Sequence, residues 1–203
     1  MDLIFKNRYG HLVHERYLER VRKIMAQRQK RLASLKTRAD AENYVEQARK
    51  KIRKCFSPFP RKSNLQPVIT GVDEYPDYRL EKIIFQSRPG YYVTGNLYKP
   101  KSKRKCFPTV LGVCGHSQLG KAEPAYQAFC QGLVKRGFLV FIIDPISQGE
   151  RWQHDVSPKK LYLCAAHNLI GNQLVLLDEF LGTWRVWDAI RAIDYLFTRD
   201  DVD

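Results

Sequence analysis

The sequence lacks long apolar runs and the usual motifs of metal and cofactor sites. No stretch of its 203 residues approaches the roughly 18 consecutive apolar residues of a membrane-spanning helix. It has no glycine-rich phosphate loop, no carboxylate pair at glycosidase spacing and no metal-ligand cluster. Its five cysteines form no C-x-x-C motif, and most have apolar neighbours, which predicts buried thiols. We therefore expect a soluble, cofactor-free protein with no membrane partner, located in the reducing cytoplasm.

Acidic residues are scarce in one part of the chain. Residues 1–62 hold 18 Lys and Arg against 6 Asp and Glu, so they carry +12 of the total net charge of +14. The remaining residues hold 17 basic against 15 acidic side chains. The basic segment has no aromatic-rich repeat or zinc-knuckle spacing. We expect a solvated helical face rather than a nucleic-acid interface.

The basic segment has the apolar period of helices. Between Arg16 and Leu35, apolar residues recur every three or four positions, which is typical of one helical face. Thr37 and Asp40 resemble a capping pair for a second helix, and the proline-rich segment 56–60 ends it. The sequence therefore predicts an amphipathic helical pair as a first domain, residues 1–62, with its apolar stripes packed on a second domain, residues 63–203.

The second domain begins with strand patterns. Residues 79–86 and 91–98 predict a β-hairpin, and the apolar runs 108–115 and 138–144 predict strands covered on both faces. A helix at 124–136 lies between these two runs. Strand, helix and strand in this order predict a parallel crossover, and so an α/β fold.

The last part of the chain reads as a lid followed by a helix. Residues 145–181 predict a long connection with a short helix near 171–180. Thr183 is a candidate cap for the last helix. The period places five residues on its buried face: Val186, Trp187, Ile190, Ile193 and Phe197. Trp184 and Trp187 are interpreted as core residues.

The order of these motifs resembles a known family. A buried strand ends in Cys-Gly-His-Ser at 114–117, a helix contains PAYQAF, and a second strand ends in Asp-Pro before Gln-Gly-Glu-Arg at 148–151. With the final WxxWDAIRAIDYL helix, this order is similar to the acetyl xylan esterase-like branch of the α/β-hydrolases, which includes dienelactone hydrolase-like enzymes. The resemblance covers residues 37–203. It implies the amino-terminal part of an α/β-hydrolase sheet, from an enzyme that hydrolyses small-molecule or carbohydrate esters without a cofactor.

The nucleophile motif of that family, G-x-S-x-G, does not occur among the 203 residues. In α/β-hydrolases the order is Ser, then an acid, then His, on loops after later strands, which the resemblance places beyond Asp203. We therefore expect an amino-terminal fragment that is inactive alone and marginally stable, with the edge of strand 138–144 uncovered. Two alternatives remain: a non-catalytic half that binds a separately encoded carboxyl-terminal half, and a basic binding module.

The resemblance also assigns site residues. The backbone N–H of His116 or of Ser117 would supply one donor of the oxyanion hole. Substrate-binding candidates follow the second buried strand and lie in the lid: Gln148, Glu150, Arg151 and His167. Glu150 and Arg151 either pair with each other to brace the site or contact polar groups of a substrate, and a surface salt bridge is the plainer interpretation.

Ser117 has a rival interpretation as a nucleophile, because segment 115–120 nearly matches the elbow motif. Leu119 stands where the motif needs glycine, and its side chain would crowd the sharp turn. The candidate bases are His154 and His167, and the candidate orienting acids are Asp155, Asp178 and Asp188. None of them follows a further predicted strand. We therefore favour Ser117 as an oxyanion-loop residue, with a plain turn residue as the other alternative.

Overall fold

The computed structural model describes residues 11–157 and 160–203. The chain divides into two units, Met1–Cys55 and Phe56–Asp203, and each is described by itself. Within the described part of the chain, no helix combines the length and apolar character needed to cross a bilayer.

The first unit contains the predicted helical pair. Helix α1 spans Leu12–Ala33 and helix α2 spans Arg38–Phe56. The capping pair is confirmed, because the Asp40 N–H donates to Thr37 Oγ1 (3.1 Å) and the Thr37 N–H donates to Asp40 Oδ2 (3.0 Å). No residue of either helix is buried. Packing of their apolar stripes on the following domain stays a prediction.

The strands and helices of the second unit are β1 Val68–Glu74, β2 Tyr78–Arg88, β3 Tyr91–Pro100, β4 Thr109–Val113, α3 Pro124–Val134, β5 Leu139–Ile143, α4 Leu163–Val175 and α5 Leu181–Leu196. In the described residues the five strands form one mixed sheet, in the order β1-β2-β3-β5-β4. Strands β1, β2, β3 and β5 pair antiparallel in succession, and β4 pairs parallel with β5.

The predicted hairpin and parallel crossover are both confirmed. Strands β2 and β3 form the hairpin, and Gly90 in its turn has a φ of +77°. Helix α3 begins at a proline, and Gly137 after its end has a φ of +90°. Strand β1 is missing from the sequence prediction. Its pairing with β2 shifts register between Ile69 and Gly71, which breaks the regular alternation.

The core lies on both faces of β5, so all five residues of this strand are buried. On one face, Phe141 packs against Phe85 and against Tyr195 of α5. On the other face, Val140 and Ile142 belong to a cluster that α3 completes. Successive side chains of β5 point to opposite faces, so α5 covers one face and α3 covers the other. The loop that follows β5 therefore starts between these two helices.

Three helical predictions need correction. The lid helix is α4, which begins well before the predicted segment 171–180. Helix α5 begins at Leu181, so Thr183 lies inside it and does not cap it. Its buried face is also rotated from the predicted one, since Ile193 and Phe197 are exposed. The buried face is formed by Thr183, Trp187, Asp188, Arg191, Ala192, Tyr195 and Leu196.

The prediction of an uncovered edge at 138–144 is wrong, because β5 is an inner strand and β4 is the edge strand of the described sheet. The last residues of the chain begin to pair with this edge. Phe107 and Val202 form a parallel bridge. The Phe107 N–H donates to the Asp201 carbonyl (3.0 Å), and the Asp203 N–H donates to the Phe107 carbonyl (2.9 Å).

All five cysteines are free thiols. The sequence predicts that they are buried, and this prediction holds for only some of them. Cys130 is buried and Cys114 is half-buried, and burial raises the pKa of each to about 12. Cys55, Cys106 and Cys164 are exposed. The prediction is therefore wrong for these three.

Candidate functional site

Two loops meet at the carboxyl ends of the parallel strands. The β4 loop, residues 114–123, follows β4, and the β5 loop, residues 144–151, follows β5. The Ser117 N–H donates to Gln148 Oε1 (2.8 Å), and the Gly149 N–H donates to the Gln118 carbonyl (3.0 Å). These bonds place the predicted oxyanion segment directly against the predicted substrate-binding segment. In α/β sheets this edge is where ligands bind.

A buried carboxylate, Asp144, holds both loops to the sheet. It accepts hydrogen bonds from Thr94 Oγ1 on β3 (2.7 Å) and from the Lys121 N–H (2.7 Å). The Lys121 ammonium binds both Asp144 and Glu150, and only 7% of the Lys121 side chain is exposed. A fully buried carboxylate is stable when its charge is paired and its oxygens are hydrogen-bonded. Both conditions hold for Asp144.

Two glycines allow the loops to approach this carboxylate. Gly120 has a φ of +55° and Gly149 a φ of +56°. A Cβ atom on either glycine would collide with Asp144, and one on Gly120 would also lie 2.9 Å from the Gly149 Cα. Glycine is therefore required at both positions by backbone conformation and by space.

Gly120→Ala is expected to destabilise the protein by about 1 to 3 kcal/mol, because it adds backbone strain and a clash. Urea denaturation measures the effect. Gly132→Ala in α3 is the matched control, since a Cβ there meets nothing closer than 3.6 Å. That control should stabilise the protein by about 0.5 to 1 kcal/mol. Equal stability of the two variants would contradict the role of Gly120.

Ser117 and His116 occupy different environments. The Ser117 N–H is bound by Gln148, and its hydroxyl donates to Glu123 Oε2 (2.6 Å). His116 is exposed, and its N–H has no hydrogen-bond acceptor among the described residues. Its amide is thus the better placed of the two candidate oxyanion donors. That role stays a prediction for both residues.

The four substrate-binding candidates lie around these loops. Gln148 is buried, so its side chain supports the β4 loop. Arg151 is buried and donates to Asp188 Oδ2 (2.7 Å) and to the Asp144 carbonyl (3.0 Å). Glu150 is 69% exposed and binds Lys121. Glu150 and Arg151 therefore have separate partners and do not form the pair that one alternative expected. Contact with a substrate stays a prediction for all four candidates.

Neither His167 nor His154 hydrogen-bonds the Ser117 hydroxyl, whose acceptor is Glu123 Oε2. The His167 ring contacts the His116 ring edge-to-face, with centroids 5.1 Å apart. Burial, together with the positive charge of Arg185, lowers the pKa of His167 to about 4. His154 Nε2 lies 3.2 Å from the Ala166 carbonyl. Neither imidazole is placed to activate Ser117, which hydrogen-bonds a carboxylate instead.

A cavity of about 530 Å³ opens beside the β5 loop. Glu150 and Arg151 line one side of it, and the other walls are aromatic, apolar and amide side chains, among them Tyr91, Tyr92, Gln153, Ile170, Leu174 and Trp184. Trp187 is a core residue as predicted. Trp184 is half-buried, and the Arg88 guanidinium lies 3.7 Å from its ring centroid. Trp184 therefore forms the wall of a cavity as well as part of the packing.

Sequence reasoning did not identify the charge cluster of Lys121, Asp144 and Glu150. The Asp-Pro step at 144–145 was a motif of the resemblance, but the contact of Asp144 with Lys121 joins residues that lie 23 positions apart in the chain. The described ranges contain no group of three or more His, Cys, Asp or Glu side chains that could hold a metal ion, and this cluster has only two carboxylates. It is a structural brace for the loops.

No protein-family model and no curated protein matches this sequence. Solved structures do match. A Bacteroides fragilis protein described as an acetyl xylan esterase aligns over 81% of this chain, with a TM-score of 0.67 and 17% identity. Methylesterase BT1017 aligns over 85%, with a TM-score of 0.57 and 20% identity. The Paenibacillus sp. R4 acetyl xylan esterase aligns over 70%, with a TM-score of 0.50 and 18% identity.

The alignments cover 45%, 36% and 44% of those proteins, in the same order, so this chain spans less than half of each. At such identities the likeness establishes the fold. The second unit of this chain carries part of an α/β-hydrolase sheet, the fold of the acetyl xylan esterases and related esterases that it resembles.

Proposed function

We propose that this chain is the amino-terminal part of a serine hydrolase of carboxylic esters, and that it supplies an oxyanion loop without the nucleophile. The observation that carries the proposal is the β4 loop, held by Gln148 at the carboxyl end of the parallel strands in an esterase-like fold. Acyl transfer needs a serine activated by a histidine, an acid that orients the histidine, and donors for the oxyanion. The described residues contain a candidate for the last of these.

The brace around Asp144 suits an oxyanion loop. Electrostatic stabilisation of a developing oxyanion depends on donors that are fixed before the reaction begins. Hydrogen bonds from Lys121 and Thr94 to Asp144 hold the β4 loop against β3 and β5. Because Gln148 already binds the Ser117 amide, the His116 amide is the donor that remains for the substrate.

The substrate class that we propose is a carbohydrate ester, with acetyl as the acyl group. The cavity beside the β5 loop combines the aromatic side chains of Tyr91, Tyr92 and Trp184 with the amide of Gln153. Aromatic faces and amide groups together suit a sugar, which has both apolar faces and hydroxyl groups. Two of the reported structural neighbours are described as acetyl xylan esterases, which supports the same class.

Hydrolysis of 4-nitrophenyl acetate tests the proposal. We expect turnover by the purified chain to stay at the uncatalysed rate, and Ser117→Ala to leave it unchanged, because the Ser117 hydroxyl binds Glu123 and has no histidine partner among the described residues. Cys164→Ser is the control for a single acetyl transfer to an exposed thiol. Turnover that Ser117→Ala abolishes would overturn the proposal.

Reading the gene past codon 203 for a G-x-S-x-G run tests whether a nucleophile strand follows.

A second role is favoured by the edge of β4. Val113 is 66% exposed at this edge, while Val202 already pairs parallel with Phe107 at its start. An open edge of this kind accepts a further strand. We propose that a carboxyl-terminal half, carried on the same or a separate polypeptide, completes the sheet here. Co-purification of such a half with gain of ester turnover is expected. A sharp cooperative melt of the isolated monomer, without affinity for that half, would contradict this role.

A further inference from the structure

The lid helix brings a thiol to the β4 loop. Cys164 lies in the first turn of α4, and its Sγ is 3.6 Å from His116 Nε2. Both side chains belong to exposed residues. The distance is within the range of a hydrogen bond to sulfur, so the imidazole can accept the thiol proton. This contact is separate from the hydrogen bonds of Ser117.

The neighbouring ring positions His116. His167, one turn along α4 from Cys164, packs edge-to-face on the His116 ring. Its Nε2 is buried and has no partner among the described residues. Since the pKa of His167 is lowered to about 4 by burial, its ring is neutral near pH 7. A neutral ring at this position adds no positive charge beside the His116 imidazole.

Charged groups also lie near this position. Arg185 places a positive charge near the His167 ring. Glu123 is the one carboxylate in the β4 loop sequence, and the Ser117 hydroxyl binds it. The first-turn N–H groups of α4 add a further positive field at Cys164. An imidazole partner together with a helix N-terminus is a combination that activates cysteine.

We propose that Cys164 and His116 form a thiol–imidazole pair, which makes Cys164 a covalent attachment site for soft carbon electrophiles such as haloamides. With iodoacetamide, the S–H proton passes to His116 Nε2 and the thiolate attacks the CH₂ carbon. The S–C bond forms as the C–I bond breaks, and iodide leaves with the electron pair. This activity is independent of ester hydrolysis.

The chain carries its own controls for this site. Cys55 and Cys106 are exposed thiols, and Cys106 Sγ lies 3.4 Å from the Asp200 carbonyl, a partner that cannot accept a proton to form a cation. Cys130 is fully buried and should react only when the fold opens. One sample therefore reports the activated thiol, the ordinary exposed thiols and the integrity of the core.

The test is alkylation of the folded chain by iodoacetamide, with peptide mass spectrometry to follow each cysteine. At about pH 6 we expect Cys164 to react several-fold faster than Cys106, and by about pH 8 this ratio should shrink, because ordinary exposed thiols ionise more as the pH rises. The difference comes from His116, which takes up the proton of the Cys164 thiol, whereas Cys106 has a backbone carbonyl as its partner. In His116→Ala the Cys164 rate should fall to that of Cys106, while Cys130 stays protected.

A Cys164 rate equal to that of Cys106 in the folded wild-type chain would overturn the proposal. So would an unchanged rate ratio in His116→Ala with Cys130 protected. If His116→Ala exposes Cys130, His116→Gln and the wild-type pH profile decide. A Cys164-to-Cys106 ratio that does not change between about pH 6 and pH 8 would then contradict an activated thiol.

Discussion

Lys121→Met is expected to lower the free energy of unfolding by about 3 to 5 kcal/mol. The variant keeps the bulk of the side chain but removes the cation that pairs with Asp144, which is fully buried. Asp144 would keep its hydrogen bonds from Thr94 and from the backbone of residue 121, but its charge would have no counterion. Urea denaturation followed by tryptophan fluorescence measures the loss.

Lys82→Met is the matched control for this change. Lys82 pairs with Asp73 at 2.9 Å, and both side chains are more than 40% exposed. An exposed pair of this kind contributes at most about 1 kcal/mol. The double change Lys121→Met with Asp144→Asn should recover part of the lost stability, because it leaves no buried charge. Equal effects of Lys121→Met and Lys82→Met would contradict the bracing role of Asp144.

Arg151→Met is expected to cost a similar amount, about 3 to 5 kcal/mol, for the same physical reason. Arg151 and Asp188 form an ion pair at 2.7 Å, with side-chain exposures of 7% and 4%. The pair joins the β5 loop to the buried face of α5. Its loss leaves the Asp188 carboxylate unpaired between helix and sheet, and we expect the helix to detach more readily.

Arg136→Met is the control for the second change, since Arg136 is exposed, follows the end of α3 and donates to the Gly132 carbonyl of that helix. We expect that variant to lie within about 0.5 kcal/mol of the wild type. Protection of Cys130 from alkylation distinguishes local loosening of α5 from global unfolding. An Arg151→Met variant as stable as Arg136→Met would show that the β5 loop is held by other contacts.

Sequence patterns predicted the secondary-structure elements that are fixed by residues close together in the chain. The hairpin follows from alternating strands around Pro89 and Gly90, and β5 follows from an unbroken apolar run. The cap of α2 follows from Thr37 and Asp40, which lie three residues apart. In each case the residues that fix the structure are neighbours in the sequence, so a pattern can report them.

Buried charges explain much of what the sequence could not predict. The apolar period of α5 selects Ile193 and Phe197, yet the helix buries Asp188 and Arg191 instead. Pairing across 37 residues with Arg151 makes the burial of Asp188 stable, and no periodicity reports that partner. A search for apolar periodicity treats charged residues as exposed, so it places the buried face of α5 on the wrong residues.

The candidate site was predicted in its location but not in its bonds. The resemblance placed His116 and Ser117 after one strand and Gln148 after the next, and these loops do meet. It could not indicate that Gln148 occupies the Ser117 amide or that Lys121 reaches Asp144 across 23 residues. Nor could it place Cys164 beside His116, because the helix that carries Cys164 was expected further along the lid.

Fluorophosphonate labelling of the purified 203-residue chain, followed by peptide mapping, tests most directly whether this polypeptide carries an activated serine. A serine esterase in the same reaction serves as the positive control. We expect no serine of the chain to be labelled, because the Ser117 hydroxyl binds Glu123 and not a histidine. A phosphonyl group on Ser117 would contradict it.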